Sequence, residues 1–103
     1  MTNAMGNKIN QFEKEMKDFK GKTVNMVMSS QGINFYKIYE DFIFYQSQDI
    51  EFIWENKDCD LSEGSIIIKD IKDLHIERNF EDEVYQIEVI MNNDMKILFE
   101  LGD

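Results

Sequence analysis

The residue types best able to do chemistry gather in Asp58-Cys59-Asp60-Leu61-Ser62-Glu63. Asp58, Asp60 and Ser62 alternate as the first oxygen ligands of an EF-hand calcium loop do. The pattern then departs. Glu63 stands at the sharp-turn position, Gly64 comes one residue late, and Lys69 occupies the place of the bidentate glutamate. A solvated loop with at most weak calcium affinity is the expectation, and no metal site is assigned. Cys59 is the only cysteine, and carboxylates on both sides disfavour the thiolate that nucleophilic chemistry requires. Zinc needs four ligands, and one cysteine with one histidine, His75, does not supply them. No serine is placed to complete a Ser-His-Asp arrangement. The five glycines are scattered and form no phosphate-binding loop. No catalytic residue and no cofactor are therefore expected, and the chain reads as a binding protein.

Charge says what it would bind. The 103 residues hold 21 acids and 11 bases, for a formal net charge of −10. Residues 1–22 carry five lysines and three acids, so the negative field belongs to the remainder. Such a surface repels nucleic acid and anionic membranes and attracts basic proteins. Asp49, Glu51 and Glu55 fall on one face of an expected strand, where residues two apart are separated by roughly 6.7 Å. That spacing is comparable with successive phosphates of a nucleic acid. Glu81, Asp82 and Glu83 add a second acidic group at a turn, and Tyr36, Tyr45 and Trp54 are candidate aromatic anchors. These nine residues form the expected partner-binding set. The function they imply is inhibition of a basic, nucleic-acid-handling enzyme by a non-enzymatic protein, as immunity or phage counter-defence proteins act.

The elements that must position these residues follow from hydrophobic period. Ile9, Phe12, Met16 and Phe19 recur every three or four residues, which predicts an amphipathic helix over 7–20 that stops at Gly21. Residues 1–6 read as a flexible leader, with Met5 as an alternative start and residues 1–4 of uncertain origin; 7–103 reads as one α+β domain. After Gly21 the period becomes two. Strands are expected from Val24, over Ile33–Tyr39, over Phe42–Gln46, and around Phe52 and Trp54. Residues 56–64 read as the longest loop, and Ser65-Ile66-Ile67-Ile68 as a buried strand. Asp70–Asp73 reads as a turn, and Leu74, Ile76 and Phe80 as a further strand. The clearest pair is last: Tyr85, Ile87, Val89 and Met91, then Met95, Ile97, Phe99 and Leu101, form a hairpin across Asn92-Asn93-Asp94. Short connections predict an antiparallel meander of six to eight strands, strongly bent. A lone thiol and the absence of an apolar signal core suit a cytoplasmic protein.

The stretch IIIKDIKDLHIERNFEDEVYQIEVIMNNDMKILFEL resembles bacterial PH-like barrels in its rhythm, and a helix leading into a small bent barrel resembles the Sm-like fold. The resemblance implies a PH-like or Sm-like structural module as the alternative to an inhibitor. Val84, Ile90 and Leu98 place apolar side chains on the second face of the final hairpin. Either the helix covers that face or the domain self-associates through it.

Overall fold

A computed structural model describes residues 4–57 and 59–102, with side chains described for 6–57 and 64–102. The helical face found in the sequence forms α1 (Ala4–Lys17), with Phe12 and Met16 wholly buried. Residues 4–6, expected in a leader, open this helix, whereas residues 1–3 lie outside the described residues. The last expected turn is not α-helical. Asp18, Phe19 and Lys20 donate to carbonyls three residues back, a tightening common at helix ends, and Gly21 then leaves with φ +77°. Phe19 still reaches the core from this turn.

Eight strands follow among the described residues: β1 (Val24–Ser30), β2 (Ile33–Tyr39), β3 (Phe42–Ser47), β4 (Glu51–Asn56), β5 (Cys59–Ile67), β6 (Ile71–Arg78), β7 (Val84–Met91) and β8 (Lys96–Leu101). They make two antiparallel sheets, β2-β1-β8-β7-β6 and β3-β4-β5, which do not join into a closed barrel. The expected α+β meander is thus what forms. The long loop over 56–64 is not. β5 begins at Cys59, directly after the β4 hairpin turn, so the backbone of the calcium-like segment is strand; Asp58 and the side chains of 59–63 lie outside the described residues. The turn expected at 70–73 comes earlier, as a 3₁₀ turn over Ile68–Asp70.

Each break between the sheets has a local cause. At Glu40-Asp41 the chain turns a corner. Phe42 N–H donates to Lys22 O, and Gly21 N–H donates to Phe42 O, so β3 starts against the loop after the helix instead of against β2. At the second break the 3₁₀ turn is pinned on both sides. Ile68 N–H reaches Ile50 O, and Asp70 O accepts from Asn92 N–H.

α1 packs against β3 and β6, one edge strand of each sheet. Phe12 meets Phe44 and Phe52 edge-on at centroid distances of 5.6 and 5.2 Å. The helix runs alongside β6, and two ion pairs fix its height: Lys8 to Asp73 at 2.8 Å and Glu15 to Arg78 at 3.0 Å. Asp73 lies below the ordinary carboxylate range because Lys8 donates to it, helped by the Leu74 N–H. The helix thus fills the core between the sheets and does not cover the outer face of β7 and β8. Ile90 and Leu98 sit half-buried on that face, whereas Val84 packs against the core. Deep in the core, Trp54 Nε1–H donates to Tyr39 Oη at 3.1 Å. Burial raises the Tyr39 phenol above its usual value of 10.0, offset in part by that hydrogen bond.

Candidate protein-interaction surface

The β6–β7 turn, residues 79–83, is a short segment locked by its first residue. Asn79 Oδ1 accepts from the N–H groups of Glu81 and Glu83 at 2.9 and 3.0 Å. Asn79 O accepts from Asp82 N–H, and Asn79 N–H donates to Glu83 O. Asparagine suits this place because its side-chain carbonyl can satisfy backbone donors in a turn. Asp82 takes a left-handed conformation, φ +64°, which aspartate tolerates better than most residues. Arg78, the last residue of β6, contacts Asp82 and also holds Glu15 of the helix, so the turn is braced to α1.

At the tip of this turn Phe80 is 98% exposed. The series Leu74, Ile76, Phe80 predicts that the strand continues through Phe80. Arg78 ends the strand two residues earlier, and the turn carries Phe80 outward beside Glu81, Asp82 and Glu83. Below it, between the turn and the end of the helix, lies an open cleft of about 410 Å³. Its walls bring together Asp18 and Glu83, along with Glu15 and Asp82, which already pair with Arg78, beside one lysine, Lys22, and the apolar residues Phe19, Val84 and Leu101. The arrangement suits a lysine or arginine side chain: its stem would rest on the apolar residues while its head meets carboxylate. Glu81 and Glu83 belong to no ion pair among the described residues, so their charge is not spent within the molecule.

The nine residues expected to bind a partner do not converge. Glu51 and Glu55 lie on the outer face of the three-stranded sheet, with Ile53 between them. They are four residues apart, about 13 Å along a strand. Asp49 is not on that strand: it sits in the β3–β4 turn at φ +58° and accepts a hydrogen bond from Gln46. A carboxylate ladder at phosphate spacing therefore does not form. Tyr45 is exposed on the same outer face, opposite Ile53. Tyr36 is exposed on the other sheet. Trp54, expected as an exposed anchor, is fully buried; the apolar alternation Phe52, Trp54 correctly marks the core face, and the indole N–H finds its acceptor inside. His75 points outward as expected, with Nε2 3.4 Å from Asp73 Oδ2.

Glu81, Asp82 and Glu83 are thus the predicted group that the fold presents as a unit, and Phe80 is the residue that sequence reasoning missed. The signal for it was present: Asn79 ahead of three carboxylates is turn chemistry, and it could have ended the strand before Phe80. Among the described residues no group of three or more metal-ligating side chains comes together, and no helix is long and apolar enough to cross a membrane. No family model, no curated protein and no solved structure matches this chain.

Proposed function

We propose that this chain is a non-enzymatic protein-binding module for a basic partner in the cytoplasm, and that it inhibits a nucleic-acid-handling enzyme by covering that enzyme's basic surface. The observation that supports the reading best is Phe80, fully exposed at the tip of a braced turn and followed by Glu81 and Glu83, which belong to no ion pair among the described residues. An exposed phenylalanine contributes nothing to this fold, and a rigid aromatic ringed by polar groups is the usual form of a binding hot spot. The carboxylates would raise the rate of encounter, Phe80 would enter an apolar pocket of the partner, and the acidic cleft would take a neighbouring lysine or arginine.

The test begins with immobilised protein challenged by lysate of the source cell at low and moderate salt. A retained basic enzyme is then purified, titrated and assayed for activity. Phe80→Ala is expected to weaken its binding by about 30-fold, the loss of a hot-spot aromatic worth about 2 kcal/mol. Thermal stability should be unchanged, because the side chain is solvent-exposed. Glu83→Lys should slow association, and salt should weaken the complex. An enzyme that binds both variants as tightly as the parent, or that keeps full activity when saturated, would sink this reading.

A further inference from the structure

β2 is the outermost strand of the five-stranded sheet and, among the described residues, pairs only with β1. Its hairpin closes through Gln31-Gly32, both with positive φ (49° and 81°), as a two-residue type I′ connection requires. That closure decides where the backbone points. Ser30 and Ile33 form a hydrogen-bonded pair, so Ile33, Phe35, Lys37 and Tyr39 bond to β1. The N–H and C=O groups of Asn34, Tyr36 and Ile38 then face outward, and they make no backbone hydrogen bond to a turn or loop among the described residues.

The side chains on this open edge are large and apolar. Ile33 is 73% exposed, Phe35 and Tyr36 are each 59% exposed, and Ile38 is 50% exposed. Single exposed apolar residues are ordinary. Four within six residues, on an edge with unpaired backbone groups, make a template for another strand. On the outer face Tyr36 pairs in register with Val27, and Val27 with Leu98, so the apolar surface continues inward from the edge.

We propose that a second copy of this chain occupies the edge, with β2 pairing antiparallel to β2 about a two-fold axis at Tyr36. Charge selects the occupant and the register. Residues 33–39 hold one lysine and no carboxylate, although the chain as a whole carries −10. Centring the axis on Lys37 would set two lysines opposite each other, and centring it on Phe35 would leave the end of each strand unpaired. With the axis at Tyr36 all seven residues of each strand pair. Lys37 then faces Phe35 of the second copy, and Glu40 and Asp41 fall opposite the neutral Gly32 and Gln31 of that copy. Tyr36 with Tyr36, and Asn34 with Ile38 on each side, would exchange about six hydrogen bonds. The four exposed side chains present roughly 100–150 Å² each, so two copies would cover at most on the order of 1,000 Å², the area at which specific interfaces begin. This pairing is independent of the acidic turn and lies on a different element.

Sedimentation of the unaltered protein over a range of concentration and salt tests the proposal without any substitution. The expected result is a monomer–dimer equilibrium that tightens at least several-fold as salt rises, because screening relieves repulsion between two chains of −10. Docking to a basic partner should respond to salt in the opposite sense. The register is read in a Cys59→Ser background. Tyr36→Cys should form a disulfide-linked dimer on mild oxidation, since hydrogen-bonded antiparallel partners lie about 5.5 Å apart at Cα. Asn34→Cys should not, because it faces Ile38 of the second copy. A monomer at every concentration and salt, or cross-linking of Asn34→Cys as readily as Tyr36→Cys, overturns the proposal.

Discussion

Gly64→Ala should damage this domain far more than its place in a strand suggests. Gly64 pairs directly with Trp54 in the β4–β5 ladder, and the indole lies across it. A Cβ at residue 64 would stand 2.5 Å from Trp54 Nε1 and 2.6 Å from Cζ2, and closer still to Cε2. Carbon atoms in contact prefer about 3.5–4.0 Å, so the ring would have to move by about 1 Å. It has no easy direction. Trp54 is fully buried, packs edge-on against Phe99 at 5.1 Å, and donates its only polar hydrogen to Tyr39. Overpacking a core costs about 1–3 kcal/mol, and losing the indole hydrogen bond adds about 1 kcal/mol. The expected loss is about 2–4 kcal/mol, against a typical total stability of about 5–15 kcal/mol. Denaturant unfolding followed by far-ultraviolet circular dichroism measures it, a probe that survives when Trp54, the sole tryptophan, is replaced. Unfolded-state entropy alone would make Gly→Ala stabilising by about 0.4–1 kcal/mol, so the two accounts differ in sign. A loss below about 0.5 kcal/mol, or one undiminished in a Trp54→Phe background, would refute the steric argument.

Tyr39 is raised above 10.0 in the folded protein, so the unfolded state loses that proton first. Stability should decline as pH rises past 10, and alkaline denaturation should show it. Tyr39→Phe should remove this component of the decline and cost about 1–2 kcal/mol near neutrality by leaving the Trp54 N–H without its acceptor. Asp73 is lowered below 3.8 chiefly by Lys8, so its contribution is present above that pH and is lost as pH falls through the depressed value. Lys8→Ala should move the Asp73 carboxyl upward in an NMR titration, and an unchanged midpoint would show that Lys8 is not the cause.

Much of this fold was written in periodicity, and what periodicity omits is where the reading failed. The three-and-four spacing of Ile9, Phe12 and Met16 marks the inward stripe of the helix, and Phe19 continues it from the tight turn beyond the last α-helical residue. Ile87, Val89, Ile97 and Phe99 alternate as expected and are fully buried. Alternation assigns faces within a strand but not which strands lie side by side. The division into two sheets, set by backbone bonds at Phe42 and Ile68, therefore had no signature in the hydrophobic pattern. The alternation slips in β2 for a physical reason: neither face of that strand is covered from Ile33 to Tyr36, so apolar residues occur on both. The site was legible only in part. A run of three carboxylates marks the turn, but Phe80 extends the apolar series Leu74, Ile76 and so reads as a strand residue. The need for glycine at 64 arises from a side chain ten residues away and cannot be seen locally.

The pairing of β1 with β8, in which Val24 sits opposite Leu101, also sets a timetable. As the chain leaves the ribosome, the β1–β2 hairpin can close at once through Gln31-Gly32, because its contacts are local. β1 must then wait for residues 96–101 before its second side is covered. Throughout that interval a nascent ribbon of Val, Met, Ile, Phe and Tyr is exposed along both margins. The acids that accumulate over residues 40–103 emerge during this same wait, and mutual repulsion between neighbouring nascent chains discourages premature association. The acids that give the folded domain its charge are therefore already on the chain while β1 still lacks its second neighbour.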